Sequence, residues 1–599
     1  MHRPVRGHLL DRTLPGTLPQ ENGGFHRVLN KPDGIGLHRR KSKNPPVQHR
    51  SPRFEVEAGS RTGKACFTKG EHSVSTHLLS IILFSLFGGA ILLIFIPNSK
   101  PLLVRAVAAG SAFISMMASF YLLYTFDYKK GGFQFIEKYV WAPDIGISFH
   151  LGVDGIAVPL VLASCILMFA GIFVSWHIKD RTKEFYIFLL ILTSATVGVY
   201  VSLDLFFLFF FYEMSVIPMY LLIGVWGSHT KGYLESKNPL KDTPRFFFNF
   251  TSNSKEYAAM KLVLFLSAGA VLALLGILLI YSNSGLYTFD LIELSQVPEG
   301  QYGKALVTAI WFMIFFGFAS IAPLWPMHSW SPVGHASAPA ATSMLHAGVL
   351  MKLGHFSIIR VAFFLFPEAT QEWMPVAAYL CIGSIVYGGL VALFQRDTKY
   401  VIGYSSSSHM GYIFLGMAAL NVISLTGAIL YMFAHALATG LLFAMAGWVY
   451  DQTHTRDIPS LGGLSKRMPF ITGVFIVAVV ASFGLPLTVN FVGELMIVVG
   501  SWRMYPKITI LAVLGICLTL CYLFRMMRGV FFGDLKSEFS GAMDATLWHD
   551  RLPLILMLTC SIYYGLFPSH FINVIQSGVI PLLERMHKVT PLLTQAGGF

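Results

Sequence analysis

From His77 onward the chain is a succession of apolar runs about 20 residues long, separated by short interruptions. A helix needs that length to cross a hydrocarbon core roughly 30 Å thick. Candidate spans lie near 77–97, 102–125, 155–176, 184–203, 205–227, 257–281, 304–320, 336–365, 373–395, 398–420, 422–450, 468–500, 505–530 and 551–572. Hydrocarbon offers no partner to backbone N–H and C=O groups, so spanning segments are helices or closed barrels, and runs this long specify helices. The pattern predicts an all-α polytopic membrane protein with about fourteen transmembrane helices. Only 13% of the residues are charged, against about 25% in an ordinary soluble chain. The longer polar stretches, Asp127 to Asp154 and Ser228 to Glu256, read as surface connections, and no second soluble domain is expected. Basic residues fall on several loops (Tyr128 to Lys138, Arg181 to Lys183, Lys231 to Arg245), so charge distribution gives no clear orientation.

Residues 1–75 are of another kind. They hold 14 Lys and Arg against six acids, +8 of the chain's net +13. Rich in Arg, His, Gly and Pro, without an apolar core or a sustained amphipathic period, the segment is predicted to be a disordered basic extension. A mitochondrial presequence matches it poorly. Two readings stand side by side: a basic tail lying on anionic lipid, or a true start at a non-Met codon near Val74, since no methionine occurs between Met1 and Met116. The membrane domain is expected over 76–575 and a C-terminal tail over 576–599. Of the six cysteines only Cys517 and Cys521 share a helical face, which suits helix-packing thiols better than a metal site.

Two spans are broken by proline. IAPLWPMHSWSPVGHASAP (Ile321 to Pro339) separates two apolar stretches, and GLPLTVNFVGE (Gly484 to Glu494) interrupts a third. Unwound backbone at such breaks must face protein or water, and paired discontinuous helices are a transporter feature. Ionisable residues stand inside the spans: Glu213 in FYEMSVIPMYLL, Lys261 in YAAMKLVLFLSAG, Lys352 in HAGVLMKLGHF, Glu494 after the second break, His409 and His435, with Lys399 at the head of the tenth span. Each such charge costs about 2.5–3.5 kcal/mol at a helix centre on insertion scales, so a set of them points to an ion pathway. Plainer readings remain beside it. Glu213 and Lys261 could be a pair fixing helix register, His435 a hydrogen bond between helices, and Lys399 a snorkelling lysine. Lys352, deep between Met351 and Leu353, is the lysine placed to exchange protons.

FYEMSVIPMYLLIGVWG, APLWPMHSWSPVGHASAP, AGVLMKLG, DTKYVIGYSSSSHMGYIFLGM, YDQTHTRDIPSLGGLSKRMP and GLPLTVNFVGEL together resemble the antiporter-like chains of proton-pumping NADH:quinone oxidoreductase (respiratory complex I). The segment Gln452 to Arg456 followed by Gly462-Gly463 is most similar to its M chain, or subunit 4. The resemblance covers about Leu78 to Phe571. It implies two inverted five-helix repeats, each with a broken helix, and proton movement through polar half-channels. By motif, Glu213 matches the fifth-helix glutamate, Lys261 the sixth-helix lysine, Lys352 the eighth-helix lysine that links toward the centre, and Glu494 the twelfth-helix glutamate on the exit side. His409 and His435 match histidines of the connecting axis. It further implies L, N and K chains or their equivalents as partners in the bilayer, with NADH, FMN, iron–sulfur clusters and quinone held by partner subunits and no cofactor in this chain.

One departure stands out. Where the family's first broken helix reads like AVKxPLxPxHxWLPDAHxEAP, this chain has FASIAPLWPMHSWSPVGHASAP, so Ile321 takes the lysine's place, Val333 the aspartate's and Ser337 the glutamate's. His346, then His355, are the extra imidazoles near Lys352, and His346 is the first candidate to substitute for the missing lysine; an imidazole suits proton transfer because its ordinary pKa is near 6.5. A histidine packed at a helix interface is the alternative. No cysteine cluster, haem-ligand pattern or Gly-rich dinucleotide turn is found, so any redox chemistry is expected in partners. The expected function is a proton-translocating oxidoreductase subunit; a cation/proton antiporter or membrane-bound hydrogenase subunit, and a non-pumping spacer, are the alternatives. The variant break at Ile321 favours a bacterial inner membrane over a mitochondrial one.

Overall fold

The computed structural model describes residues 77–228 and 254–589, with side chains to 586. The basic extension and the Lys231 to Arg245 stretch lie outside the described residues. Ten of the described helices are long and apolar enough to cross a bilayer, and a pair bent by 79°, Trp548–Leu566 and Ser569–Met586, makes eleven if taken as one span. The chain is a multi-pass helical membrane protein. The fourteen expected spans do not all emerge as unbroken apolar helices, for three local reasons. The stretch predicted over 336–365 is divided into Ala340–Leu345, a π turn at His346–Leu350, Met351–Ser357 and a second π turn at Ile358–Phe363. The stretch predicted over 468–500 is two helices, Pro469–Ser482 and Val489–Trp502. The Thr398–Ala418 helix is continuous but carries four serines, His409 and Lys399, and is too polar to count with the ten.

Helix starts follow local chemistry. Asp204 accepts hydrogen bonds from the Phe206 and Phe207 amides ahead of Leu205–Trp226, Ser254 from Tyr257 ahead of Lys255–Asn283, Asp397 from Lys399 and Tyr400, and Asn421 from Ser424 ahead of Val422–Thr453. Each satisfies amides that have no intrahelical partner. Proline opens Pro101–Thr125, Pro367–Ile382, Pro469–Ser482 and Pro506–Phe531, where its missing N–H costs nothing. The Val422–Thr453 helix is buried along its whole apolar stretch and packs against Thr398–Ala418, Val489–Trp502 and Ala157–Val174. It is the central post of the bundle. Lys255–Asn283 and Pro506–Phe531 instead leave most of their apolar surface outward, and Cys517 and Cys521 are exposed on the latter, so they do not pack inside the bundle.

The connection at Asp127–Asp154, expected as plain loop, contains an antiparallel hairpin, β1 (Gln134–Ala142) and β2 (Ile147–Val153). The alternation there is weak because β1 is largely exposed on both faces. Gly146 makes the turn with φ +69°, and a Cβ there would strike the Tyr287 carbonyl. Glu137 on β1 accepts from the Leu79 amide at 3.0 Å and the Ser80 amide at 3.2 Å, capping the first described helix from a distance. Lys138 reaches Asp290 at 2.7 Å and Glu293 at 3.1 Å, and His150 Nδ1 lies 2.8 Å from the same Asp290 carboxylate. Burial alone would raise the Asp290 carboxyl, but His150 and Lys138 outweigh it and hold it well below the usual carboxylate range. The C-terminal helix Ser569–Val589 runs across residue 575, where the sequence pattern ends the membrane domain.

The first break is shorter than the proline pattern suggested. Lys304–Ile321 stops before Pro323, but helix resumes at Trp330–Ser337, and the Trp330 indole donates to the Ser320 carbonyl at 2.9 Å across the gap. The second break, Phe483 to Thr488, holds Gly484 at φ +77° and Leu487 at φ +89°.

Asp154 and Arg360 form a buried two-bond ion pair, both bonds 2.8 Å, with the guanidinium over the rings of Phe133 and Phe356. Asp154→Ala leaves the Arg360 charge uncompensated and is expected to destabilise the chain by about 3–5 kcal/mol. The double replacement Asp154→Leu, Arg360→Met is expected to recover most of that loss. Thermal unfolding of the purified protein distinguishes the two.

Candidate functional site

Lys352 is 1% exposed, near the start of a seven-residue helix flanked by π turns. In the first of these the Met351 amide bonds the His346 carbonyl five residues back, which widens the helix. The Lys352 Nζ donates to the Ala347 carbonyl and lies 2.7 Å from Nδ1 of His435, on the central Val422–Thr453 helix. That bond has two complementary proton placements. A protonated lysine donates to the bare Nδ1; a neutral lysine accepts from an Nδ1–H. The structure thus joins Lys352 and His435, two residues singled out separately in the sequence, by a hydrogen bond between their helices.

The line continues beyond His435. The His409 ring stands nearly perpendicular to it with centroids 5.3 Å apart, and Tyr431 and Tyr412 flank His409 at 6.0 and 6.2 Å. Both nitrogens of His409, Nε2 of His435 and the Tyr431 hydroxyl are buried without a protein partner. Buried polar groups of this kind are ordinarily satisfied by ordered water. Glu494, 6% exposed, lies within electrostatic range of Tyr412, Tyr431 and Tyr522. Its carboxylate sits against Gly484 in the second break, where a Cβ would collide with it. The broken helix therefore makes the space the carboxylate occupies.

At the opposite end Lys399 is 3% exposed. It does not snorkel: its Nζ turns inward and donates to the Ala338 carbonyl at 2.7 Å, at the C-terminal end of Trp330–Ser337, where a cation is favoured. A cavity of about 640 Å³ opens there, lined by His177, Asp180, Arg181, Lys399, Tyr450 and Asp451. His177 and Asp451 are paired at 3.2 Å, and Asp397 pairs with Arg456 at 3.1 Å.

Glu213 and Lys261 behave differently from expectation. Both are half-buried, and among the described residues no ion pair joins them. Lys261 Nζ instead lies 5.9 Å over the Tyr257 ring, with His328 of the first break in electrostatic range. Pro218, within the Glu213 helix, has no amide to offer the Met214 carbonyl, so the backbone is loosened one residue past Glu213. Ile321 is fully buried in the apolar core, Val333 is half-buried, and Ser337 is buried with an unpartnered hydroxyl. His346 is fully buried, its ring over Trp330 and 4.0 Å from the ring of His335. His355 packs on Phe414 with Nδ1 3.2 Å from the Met351 carbonyl.

Sequence reasoning passed over His335, although a histidine next to a proline-flanked break was the available signal. It also missed Asp451, in the last turn of the Val422–Thr453 helix, and His177, in the turn after Ala157–Val174, which share no motif.

A multi-pass bundle with broken helices around a line of buried lysine, histidine and glutamate defines an antiporter-like membrane chain. Residues 246–519 match the family described as NADH:quinone oxidoreductase/Mrp antiporter, TM. NADH-quinone oxidoreductase subunit M of Rickettsia prowazekii is 34% identical over 498 residues, covering 82% of this chain and 95% of the relative. Among solved structures, a chain of respiratory complex I from Thermus thermophilus with bound NADH superposes with TM-score 0.74 at 24% identity, covering 86% of this chain and 99% of that one. A chain of the Mrp complex from Dietzia gives TM-score 0.72 at 17% identity, covering 88% and 99%. The chain belongs to the NADH-quinone oxidoreductase subunit M family.

Gly484→Ala is expected to cost about 1–2 kcal/mol from the left-handed backbone alone, and to push the Glu494 carboxylate out of the break. Thermal unfolding and the structure of the variant check the two effects.

Proposed function

We propose that this chain is a membrane-arm subunit of a proton-translocating NADH:quinone oxidoreductase and moves protons across the bilayer as electrons pass from NADH to quinone in partner subunits. The observation that carries this reading is the Lys352 Nζ to His435 Nδ1 bond of 2.7 Å, continued by the His409 ring, with all three side chains no more than 1% exposed. A lysine held only by an imidazole and a carbonyl has no carboxylate to fix its charge, so its proton affinity responds to charges that change nearby. When the proton leaves Lys352 for His435, the next acceptors in line are His409 and, past the tyrosines, Glu494. Glu213 and Lys261, unpaired and on adjacent helices, are placed to be the group whose rearrangement drives the change.

In this reading FMN, iron–sulfur clusters and the NADH and quinone sites lie in partner chains, and this chain contributes vectorial proton movement without a redox centre. L-, N- and K-type chains are its neighbours in the arm, and the host bilayer is a bacterial inner membrane, which the Rickettsia relative supports.

The test is proton uptake into vesicles reconstituted with the purified native complex, its partners identified by mass spectrometry. Lys352→Met is expected to lower the number of protons moved per NADH consumed, with the complex still assembled. An unchanged ratio would make this chain a spacer. Copurification with antiporter or hydrogenase subunits instead would replace the oxidoreductase assignment.

A further inference from the structure

We infer that His335 and His346 form an imidazole pair that relays protons from the Lys399 cavity to Lys352. The inference rests on the proton-translocating reading and supplies the step between the surface cavity and the buried lysine.

His335 lies in the Trp330–Ser337 half-helix and His346 opens the π turn that leads to Lys352. Both are fully buried and their ring centroids are 4.0 Å apart. Nε2 of His335 faces the Met351 sulfur at 3.3 Å, a weak acceptor, while Nδ1 of His335 and both nitrogens of His346 have no protein partner. Three unpartnered ring nitrogens at one contact are costly if the rings serve only to fill space. Phenylalanine would pack against Trp330 and Phe443, the aromatic neighbours of the pair, without that cost. Gly334 keeps the contact open, because a Cβ there would come within 3.1 Å of His346 Cε1.

The pair also lies between the two lysines. Lys399 donates to the Ala338 carbonyl, three residues past His335, and its helix packs on the His335 half-helix with Gly403 against His335, whereas His346 lies in the π turn that leads directly into Lys352. Lys399 in turn lines the cavity that holds Asp451 and His177. The order Lys399, His335, His346, Lys352 follows. A proton arriving from the cavity binds Nδ1 of His335 to give an imidazolium. It passes to a nitrogen of His346 across a bridging water, leaving His335 neutral. His346 then gives the proton, again across water, to the neutral Lys352 amine and is left neutral. The close contact of the two rings keeps them from holding charge together, so the pair carries one proton at a time.

The experiment uses the whole complex in vesicles and reads protons moved per NADH consumed across pH, comparing wild type with His346→Phe, His346→Lys, His335→Phe and Lys352→Met. His346→Phe keeps the ring stack and removes the proton-carrying nitrogens. The relay predicts that it lowers the ratio by the same increment as Lys352→Met, that His335→Phe does likewise, and that His346→Lys recovers part of the loss with a displaced pH optimum. Normal pumping in either Phe variant, while Lys352→Met is defective, overturns the relay and leaves the proton-translocating reading standing. Pumping unaffected by all four substitutions overturns both. Loss in the Phe and Lys variants alike, with no change in pH profile, assigns the rings to packing and overturns the relay.

Discussion

A lysine amine bonded to an imidazole deep inside the helical bundle is the interaction on which this architecture turns. Among the described residues Lys352 has no carboxylate within bonding distance; its partners are His435 Nδ1 and the Ala347 carbonyl. A buried ion pair would be more secure, but it would also fix the lysine's charge. A neutral partner leaves the proton free to move when the surrounding field changes. The irregular backbone serves that end. π turns on either side of Lys352, the gap at Ile321 to Trp330 and the turn at Gly484 each interrupt the regular helical hydrogen bonding near these side chains.

The firm attachments lie toward the ends of the bundle. Asp154 and Arg360 lock one helix start to the end of the Lys352 segment through two short bonds, and Asp290 gathers Lys138 and His150 to fasten the hairpin. Asp397 and Arg456 do the same near Lys399. Opposite charges are paired at these attachments, and the imidazoles with open nitrogens lie along the proposed proton path. The same distinction separates Glu213 and Lys261 from these pairs, since neither has an ion partner among the described residues.

Much of the fold was legible because bilayer length and helix caps are local. The apolar runs give the bundle, and the starts expected at 205, 398 and 422 coincide with the helices that Asp204, Asp397 and Asn421 cap. The hairpin escaped notice because β1 is exposed on both faces and its register depends on Glu137, Lys138 and Gly146 meeting residues far along the chain. The π turns carry no composition signal: HAGVL and IIRVAF read as ordinary helix. At the site, residue types were legible and partnerships were not. Lys352 and His435 are separated by 83 positions, the Glu213 and Lys261 side chains sit on adjacent helices without meeting, and Lys399 turns inward to a carbonyl no motif announces. His335 was hidden in a stretch that the prolines marked as unwound and the structure makes helical.

The central claim is that the Lys352 and His435 pair changes protonation during turnover. Infrared difference spectra of the reconstituted complex, with isotope-labelled histidine and with quinone reduction started by NADH, report it directly. The account predicts imidazole bands that appear on energisation and are missing in His435→Gln. Histidine bands that are absent, or that are identical in that variant, would contradict it.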